Sequence, residues 1–392
     1  MSQVSSPVGE PVVIDVFSGP GGLSLGFQRA GFSLAFGIED NSYAAKTYRS
    51  NFPEATVLEK DVRNVLGSEI RLMLDERFPR GQKTILVGGP PCQPFSYANR
   101  QQKRFGAGHP SASAVEHFWR LIREVGPDAF LFENVVTFET IDGGSSLRSL
   151  VEATEQLGFS VSVTKLDAKN FGVPQRRRRL FVGGVRGITG FEIPDVTSKD
   201  LHVGKERSDD LQEVTVRDAI SDLPRLPRGG GGREVIEYEE PSRNDLCVYQ
   251  KAARANASKL CNHWSSKHGE PVMETFRYIK TGSSLIEVWD ILPQRISERY
   301  GNKDSIQSNI YRRLSWGSLS PTVVHPRRAM LIHPKQNRII SVREAARLQG
   351  FPDSFRFCGS LDSQYQQVAN AVPPPMAEFL GQHFRRQLCH NP

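Results

Sequence analysis

The 392-residue chain has no run of apolar residues approaching the length of a bilayer span, which argues against a helical membrane protein. Its first ten residues, Met1 to Glu10, lack the basic-then-apolar order of a secretory signal. Cysteine is scarce: Cys92, Cys247, Cys261, Cys358 and Cys389 are scattered, and no two form a C-x-x-C pair. Neither a zinc site nor a disulfide framework is therefore expected, and an odd, dispersed set suits a reducing compartment where a thiol can act as a nucleophile. Acidic residues are outnumbered, 43 against 50 Lys and Arg, which leaves a formal net charge of +7. That excess fits a polyanionic partner, although many basic proteins bind no nucleic acid. With 38% hydrophobic and 24% charged residues the composition is globular. The length allows one large domain and a second, smaller one, and the expected compartment is the cytoplasm.

The most constrained stretch is Gly88-Gly89-Pro90-Pro91-Cys92-Gln93-Pro94-Phe95-Ser96. It follows the apolar run Thr84 to Val87, which reads as a buried strand. Two glycines and three prolines leave the backbone few conformations, so the thiol is held in one direction just past the strand end. A nucleophile needs that placement; an inert loop cysteine is the ordinary alternative.

Upstream, Val12 to Phe17 reads as a strand, Ser18 to Gly22 as a glycine loop and Leu23 to Ala30 as a short helix. Strand, glycine loop and helix let a nucleotide-like ligand approach the backbone, although a tight structural turn has the same pattern. Phe32 to Ile38 is a second strand. Glu39 stands at its end, 20 residues after Gly19, where a carboxylate can accept from ribose hydroxyls or simply open the helix expected over Ser42 to Asn51. Asp61 ends a third strand region. Tyr97 to Ser113 carries Arg100, Lys103 and Arg104 and no acid, which suits either a lid on a phosphate backbone or a solvated loop. Helices are expected over Glu69 to Phe78, Ala114 to Glu124 and Ser146 to Leu157, and a strand over Ala129 to Phe132 that ends at Glu133. The repeated strand–helix pattern predicts a mostly parallel, doubly wound sheet, which binds ligands beyond the carboxyl ends of its strands. Gly19, Glu39, Asp61, Cys92 and Glu133 all fall at that edge.

A strand over Ser160 to Leu166 is followed by Gln175 to Arg179, which leads into the strand Leu180 to Gly184, with Arg177 and Arg179 expected on one face. From about Val185 to Ile310 the pattern is irregular, and Pro224 to Arg228 together with Gly229 to Gly232 reads as a flexible connection. Regularity returns over Tyr311 to Trp316, Ser320 to Val324 and Ile339 to Phe351. Three prolines, Pro373 to Pro375, then open a final helix to about Leu388.

Asp15 to Phe27, Gly88 to Ser96, Phe132 to Val135, Gln175 to Gly184, Arg312 to Val324 and Gln366 to Pro375, in this order, resemble the DNA (cytosine-5) methyltransferases of bacterial restriction-modification type. Gly-Pro-Pro-Cys-Gln with Glu-Asn-Val and Gln-x-Arg-x-Arg is a specific combination; some relatives have a single proline before the cysteine where this chain has Pro90-Pro91, and both forms suit the motif. The resemblance implies an α/β fold: a doubly wound, Rossmann-like S-adenosylmethionine-dependent methyltransferase domain with a second, smaller, irregular target-recognition domain. The implied boundaries are 1–187 catalytic and cofactor-binding, 188–340 target-recognition, and 341–392 a return segment. S-adenosylmethionine would be held by Phe17, Gly19, Pro20, Gly22, Leu23, Glu39, Asp61, Val62, Asn370 and Ala371. Cys92 would be the nucleophile and Glu133 the acid that orients the base, with Arg177 and Arg179 supporting. Gln93, Ser96, Arg100, Lys103 and Arg104 would meet DNA, and no metal is implied.

The implied chemistry is addition of the Cys92 thiolate to C6 of a flipped-out cytosine, methylation at C5, and release. The implied partner is double-stranded DNA, with a cognate restriction endonuclease acting separately and the enzyme itself a monomer. No replication-targeting or histone-reading domain is expected ahead of the catalytic blocks. A nicotinamide-dependent dehydrogenase would share the first two strands but leave Cys92, Glu133 and the arginine strand unexplained. A transfer-RNA methyltransferase of this chemistry would carry a Cys-Phe-Thr signature, which is missing. A non-enzymatic relative would be expected to lose Cys92, Glu133 or Arg179, and all three are present.

Overall fold

A computed structural model describes residues 9–91, 110–196, 213–238, 245–306 and 310–390. The chain divides into two compact units: Met1–Phe171, Arg178–Arg207 and Val372–Pro392 in the first, Gly172–Arg177 and Ser208–Ala371 in the second. The chain thus re-enters the first unit at Val372, whereas the return segment read from the sequence starts at 341.

The first unit is built on a seven-stranded sheet in the order β3-β2-β1-β4-β5-β7-β6. Its strands are β1 Val12–Val16, β2 Ser33–Ile38, β3 Thr56–Leu58, β4 Thr84–Gly88, β5 Ala129–Val135, β6 Phe159–Asp167 and β7 Arg178–Arg186. β1 to β5 pair in parallel, while β7 runs antiparallel to both β5 and β6. The β-branched and apolar runs of β1, β4 and β5 lie in the middle and are buried, as strands covered on both faces must be. Helices α1 Gly22–Arg29, α2 Ser42–Asn51, α3 Gly67–Arg77, α4 Pro110–Val125 and α5 Ser145–Gln156 connect the strands. Phe118, Phe130, Phe132 and Phe159 lead the core of this unit.

β7 pairs with β5 as far as Val135 opposite Arg179. The sequence reading ended the fifth strand before Glu133; the antiparallel partner extends it, and Glu133 lies inside β5. Helix α1 packs on the C-terminal helix Pro374–His390, and a glycine is what permits the approach: a Cβ on Gly26 would fall 2.4 Å from Ala377 Cβ.

The second unit holds short helices α6 Val216–Ile220, α7 Val248–Arg254, α8 Glu270–Tyr278, α9 Gln294–Ser297, α10 Pro326–Ala329, α11 Val342–Leu348 and α12 Leu361–Asn370. Two small antiparallel pairs accompany them, β8 Gly231–Gly232 with β11 Trp264–Ser265 and β9 Val235–Ile236 with β10 Leu260–Cys261. The Gly229 to Gly232 stretch is a turn that runs into β8, not the flexible connection expected. All four residues have φ between 78° and 108°. A Cβ on Gly230 would lie 2.1 Å from the Ser266 carbonyl oxygen. Only glycine satisfies both demands.

Every residue of α11 is buried, including Arg343, Glu344 and Arg347. These charges are matched: Arg338 donates to both Glu344 oxygens at 2.7 Å, and Arg347 to both Asp353 oxygens at 2.6 Å. Buried ions persist only with such pairing.

Candidate active site

The loop after β1 adopts an unusual conformation. Phe17 has φ 59°, Gly19 φ 54° and Gly21 φ 100°. For Phe17 the left-handed region costs on the order of 1–3 kcal/mol, so the surroundings must impose it. Ser18 donates its N–H to Ile38 O at 3.1 Å, and Gly19 donates its N–H to Glu39 Oε2 at 2.8 Å. Asn41 N–H binds the other oxygen of Glu39 at 2.9 Å. The glycine loop and the acid 20 residues on, paired in the sequence reading, are joined directly. Burial pushes the Glu39 carboxyl up to about 7, against the pull of the two N–H donors.

Pro20, Gly22, Leu23 and Val62 are buried, and Phe17 is half-buried. A Cβ added to Gly19 would meet no atom within 4 Å, so the loop is open there. Asp61 caps the turn Val62–Asn64, and Arg63 binds both its oxygens, the hydrogen bonds that hold its carboxyl below the usual range. Arg120, on α4, supports that turn by donating to Val62 O at 3.0 Å and Val65 O at 2.9 Å.

Further along the same sheet edge, Arg179 Nε lies 3.0 Å from Glu133 Oε1, with both side chains mostly buried. The register explains the pair. Phe181 is opposite Glu133 on the antiparallel strand, so Arg179 sits on its diagonal and on the same face. Gly89 leaves room for the acid, since a Cβ there would stand 2.9 Å from Glu133 Oε2. Asn134 Nδ2 donates to Pro90 O at 3.4 Å. The loop leading to Cys92 is thus seated against Glu133 and Asn134. Cys92 itself lies outside the described residues, as do Gln93, Ser96, Arg100, Lys103 and Arg104.

Arg177 and Arg179 were expected together on one strand face, but β7 starts only at Arg178. Arg177 belongs to the second unit, where it is buried and donates to Ala371 O at 3.0 Å. Asn370 is exposed at the end of α12 and accepts from Gln366 Nε2. Asp15, Ser24 and Tyr48, which share hydrogen bonds behind the glycine loop, and Arg120 were not singled out from the sequence. An acid inside the apolar strand Val-Val-Ile-Asp-Val was the available signal for Asp15. Among the described residues no helix is long and apolar enough to cross a membrane, and no group of His, Cys, Asp and Glu could hold a metal ion.

The sequence and the fold both match known proteins. Residues 12–386 fit the family model of C-5 cytosine-specific DNA methylases. The chain belongs to that family. It is 32% identical to the Type II methyltransferase M.AgeI of Thalassovita gelatinovora, over 92% of this chain and 96% of that protein. It is 31% identical to the Type II methyltransferase M.DdeI of Desulfomicrobium norvegicum, over 94% of this chain and 87% of that one. Among solved structures, a candidate DNA modification methyltransferase encoded within an E. coli prophage superposes with a TM-score of 0.72. The two chains are 25% identical, and the match covers 98% of this chain and 100% of that one. As a DNA (cytosine-5) methyltransferase, this C-5 methylase acts on DNA and requires a methyl donor.

Proposed function

We propose that this enzyme transfers a methyl group from S-adenosylmethionine to C5 of a cytosine swung out of a specific duplex sequence, through a transient bond between Cys92 and C6. The observation that carries the reading is the Arg179–Glu133 pair packed against the Gly89-Pro90 loop that leads to Cys92.

The first-unit residues fit the cofactor. Each Glu39 oxygen accepts one N–H and keeps a further lone pair for a ribose hydroxyl. Gly19 opens the backbone for close approach, and Leu23 and Val62 supply apolar walls. When bound, the cofactor supplies an electrophilic methyl group. Asp61, Asn370 and Ala371 are proposed for the rest of the pocket.

Unstacking the base costs roughly a few kcal/mol, offset by contacts in the pocket. The Cys92 thiolate adds at C6, and the ring electrons move to C5, which becomes nucleophilic. Glu133 donates to N3 and offsets the negative charge that addition creates. Arg179 holds Glu133 through Nε and offers its other N–H groups to the cytosine carbonyl oxygen. Arg177 braces the Ala371 carbonyl. Loss of the C5 proton and expulsion of the Cys92 sulfur restore the ring. Gln93, Ser96, Arg100, Lys103 and Arg104 would contact DNA as the loop closes, and the 188–340 region would read neighbouring bases. We further propose a cytoplasmic, nucleoid-associated monomer; the Type II names of M.AgeI and M.DdeI support a separate restriction endonuclease as its counterpart.

The test is labelled methyl transfer to duplex DNA and to transfer RNA by the parent and by Cys92→Ala. The expected result is transfer to DNA alone, abolished in the variant while DNA affinity stays within about threefold. DNA carrying 5-fluorocytosine should trap a covalent adduct, because fluorine cannot leave as a proton does. Equal turnover by Cys92→Ala, or no adduct under active conditions, rejects the covalent route.

A further inference from the structure

Behind the glycine loop lies a buried chain of hydrogen bonds that the reaction does not use. Ser24 Oγ donates to Asp15 Oδ2 at 2.6 Å, and Tyr48 OH stands 2.7 Å from Ser24 Oγ, where it can donate in turn. All three residues are fully buried. They come from β1, α1 and α2, the three elements that frame the loop. We propose that Ser24 and Tyr48 are positioning residues for the cofactor, fixing the Phe17 to Gly22 loop in its strained, open form. The inference rests on the cofactor assignment made above.

The local sequence shows why such a device is needed. The N-cap of α1 is Gly21, which has no side chain to satisfy the first turn. A side chain there is also sterically excluded: a Cβ on Gly21 would lie 2.3 Å from Phe52 and 3.1 Å from Tyr48. Asp15 acts in its place. It reaches from the end of β1 to the third residue of the helix, Ser24, whose hydroxyl donates to it. The loop is thereby tied from both sides, by Glu39 at Gly19 in front and by Asp15 and Ser24 behind. A loop with three left-handed residues among six, one of them the non-glycine Phe17, needs constraint of this kind.

The Tyr48 ring and its hydroxyl do separate jobs. The ring fills the space beneath Gly37, where a Cβ would lie 2.7 Å from it. The hydroxyl alone completes the chain. Tyr48→Phe therefore removes one without the other. Glu39 bears electrostatically on Asp15, and Asp15 and Glu54 on Tyr48, so the comparison is made at one fixed pH.

The experiment is calorimetric titration of S-adenosylmethionine into the parent, Tyr48→Phe, Ser24→Ala and the double variant, with steady-state methylation and melting curves alongside. Tyr48→Phe should weaken cofactor binding about fivefold and Ser24→Ala about tenfold. kcat at saturating cofactor and DNA affinity should both stay within twofold. In the Ser24→Ala background, Tyr48→Phe should add less than twofold, because the two hydroxyls act as a unit. Additive effects, or a fall in kcat at unchanged cofactor KM, would overturn the relay. So would cofactor affinity equal to the parent's in variants whose melting temperature has dropped. A parent that fails to bind S-adenosylmethionine overturns the cofactor assignment instead.

Discussion

Asp15 and Glu39 show how a carboxyl is tuned by where the chain leaves it. Asp15 sits at full burial with Ser24 as its hydroxyl donor, and burial raises its carboxyl to about 7. Glu39 is raised to about 7 by the same cause. In both cases the folded protein binds the proton more tightly than the unfolded chain does. Stability from these groups is fully present below about pH 4 and is lost as pH rises through about 7. Asp15→Asn keeps the shape and the acceptor for Ser24 but removes the titration. Urea unfolding at pH 5 and pH 8 should show the variant's stability falling less between the two values than the parent's, by about 1–4 kcal/mol. An unchanged difference would mean that Asp15 is not the titrating group. At the same scale, the Arg179–Glu133 pair is mostly buried, and removing one partner strands the other. Arg179→Ala should lower kcat at least 100-fold and cost about 3 kcal/mol in stability, read by single-turnover methylation and urea unfolding.

At the scale of elements, two glycine sites decide packing that apolar patterning does not reveal. Gly26 lets α1 lie against the C-terminal helix, and Gly230 lets the turn before β8 pass under Ser266. Gly230→Ala places a Cβ where a carbonyl oxygen already stands, on a backbone with φ 105°. It should destabilise the protein by more than about 2 kcal/mol, seen as a lower melting temperature and increased proteolysis within 213–371. Strands and helices of the first unit were legible because their periods are clean: α2 is observed over Ser42–Asn51, as the sequence reading had it. Glu133 was placed beyond its strand because β7, its antiparallel partner, comes some fifty residues later, and local pattern carries no information about pairing across that distance. The glycine run was read as a linker because composition cannot distinguish a flexible stretch from one whose every φ is positive.

For the whole molecule, the notable feature is that the first unit is assembled from three separated segments. Its last segment brings Phe384 to Phe27, with ring centroids 6.5 Å apart, and Phe379 to Phe171 at 5.1 Å. Deleting residues 372–392 should therefore abolish cooperative unfolding and cofactor binding, although none of the first-unit residues proposed for the cofactor is removed. A truncated chain that melts cooperatively and binds S-adenosylmethionine as the parent does would contradict this.

The sequence by itself determined the α/β class, the order of the strands along the chain, and the family, because these depend on residue type at short spacing. Glycines in a turn, an acid at a strand end and a cysteine between prolines are local facts. Only the tertiary structure decided which side chains meet. The Glu133–Arg179 pair needs an antiparallel register, the Asp15–Ser24–Tyr48 chain needs three elements packed at once, and the hydrogen bond from Arg177 to Ala371 joins residues 194 apart in sequence. Each depends on chain segments distant in sequence being brought within a few ångströms, and burial of apolar surface, not local propensity, brings them there.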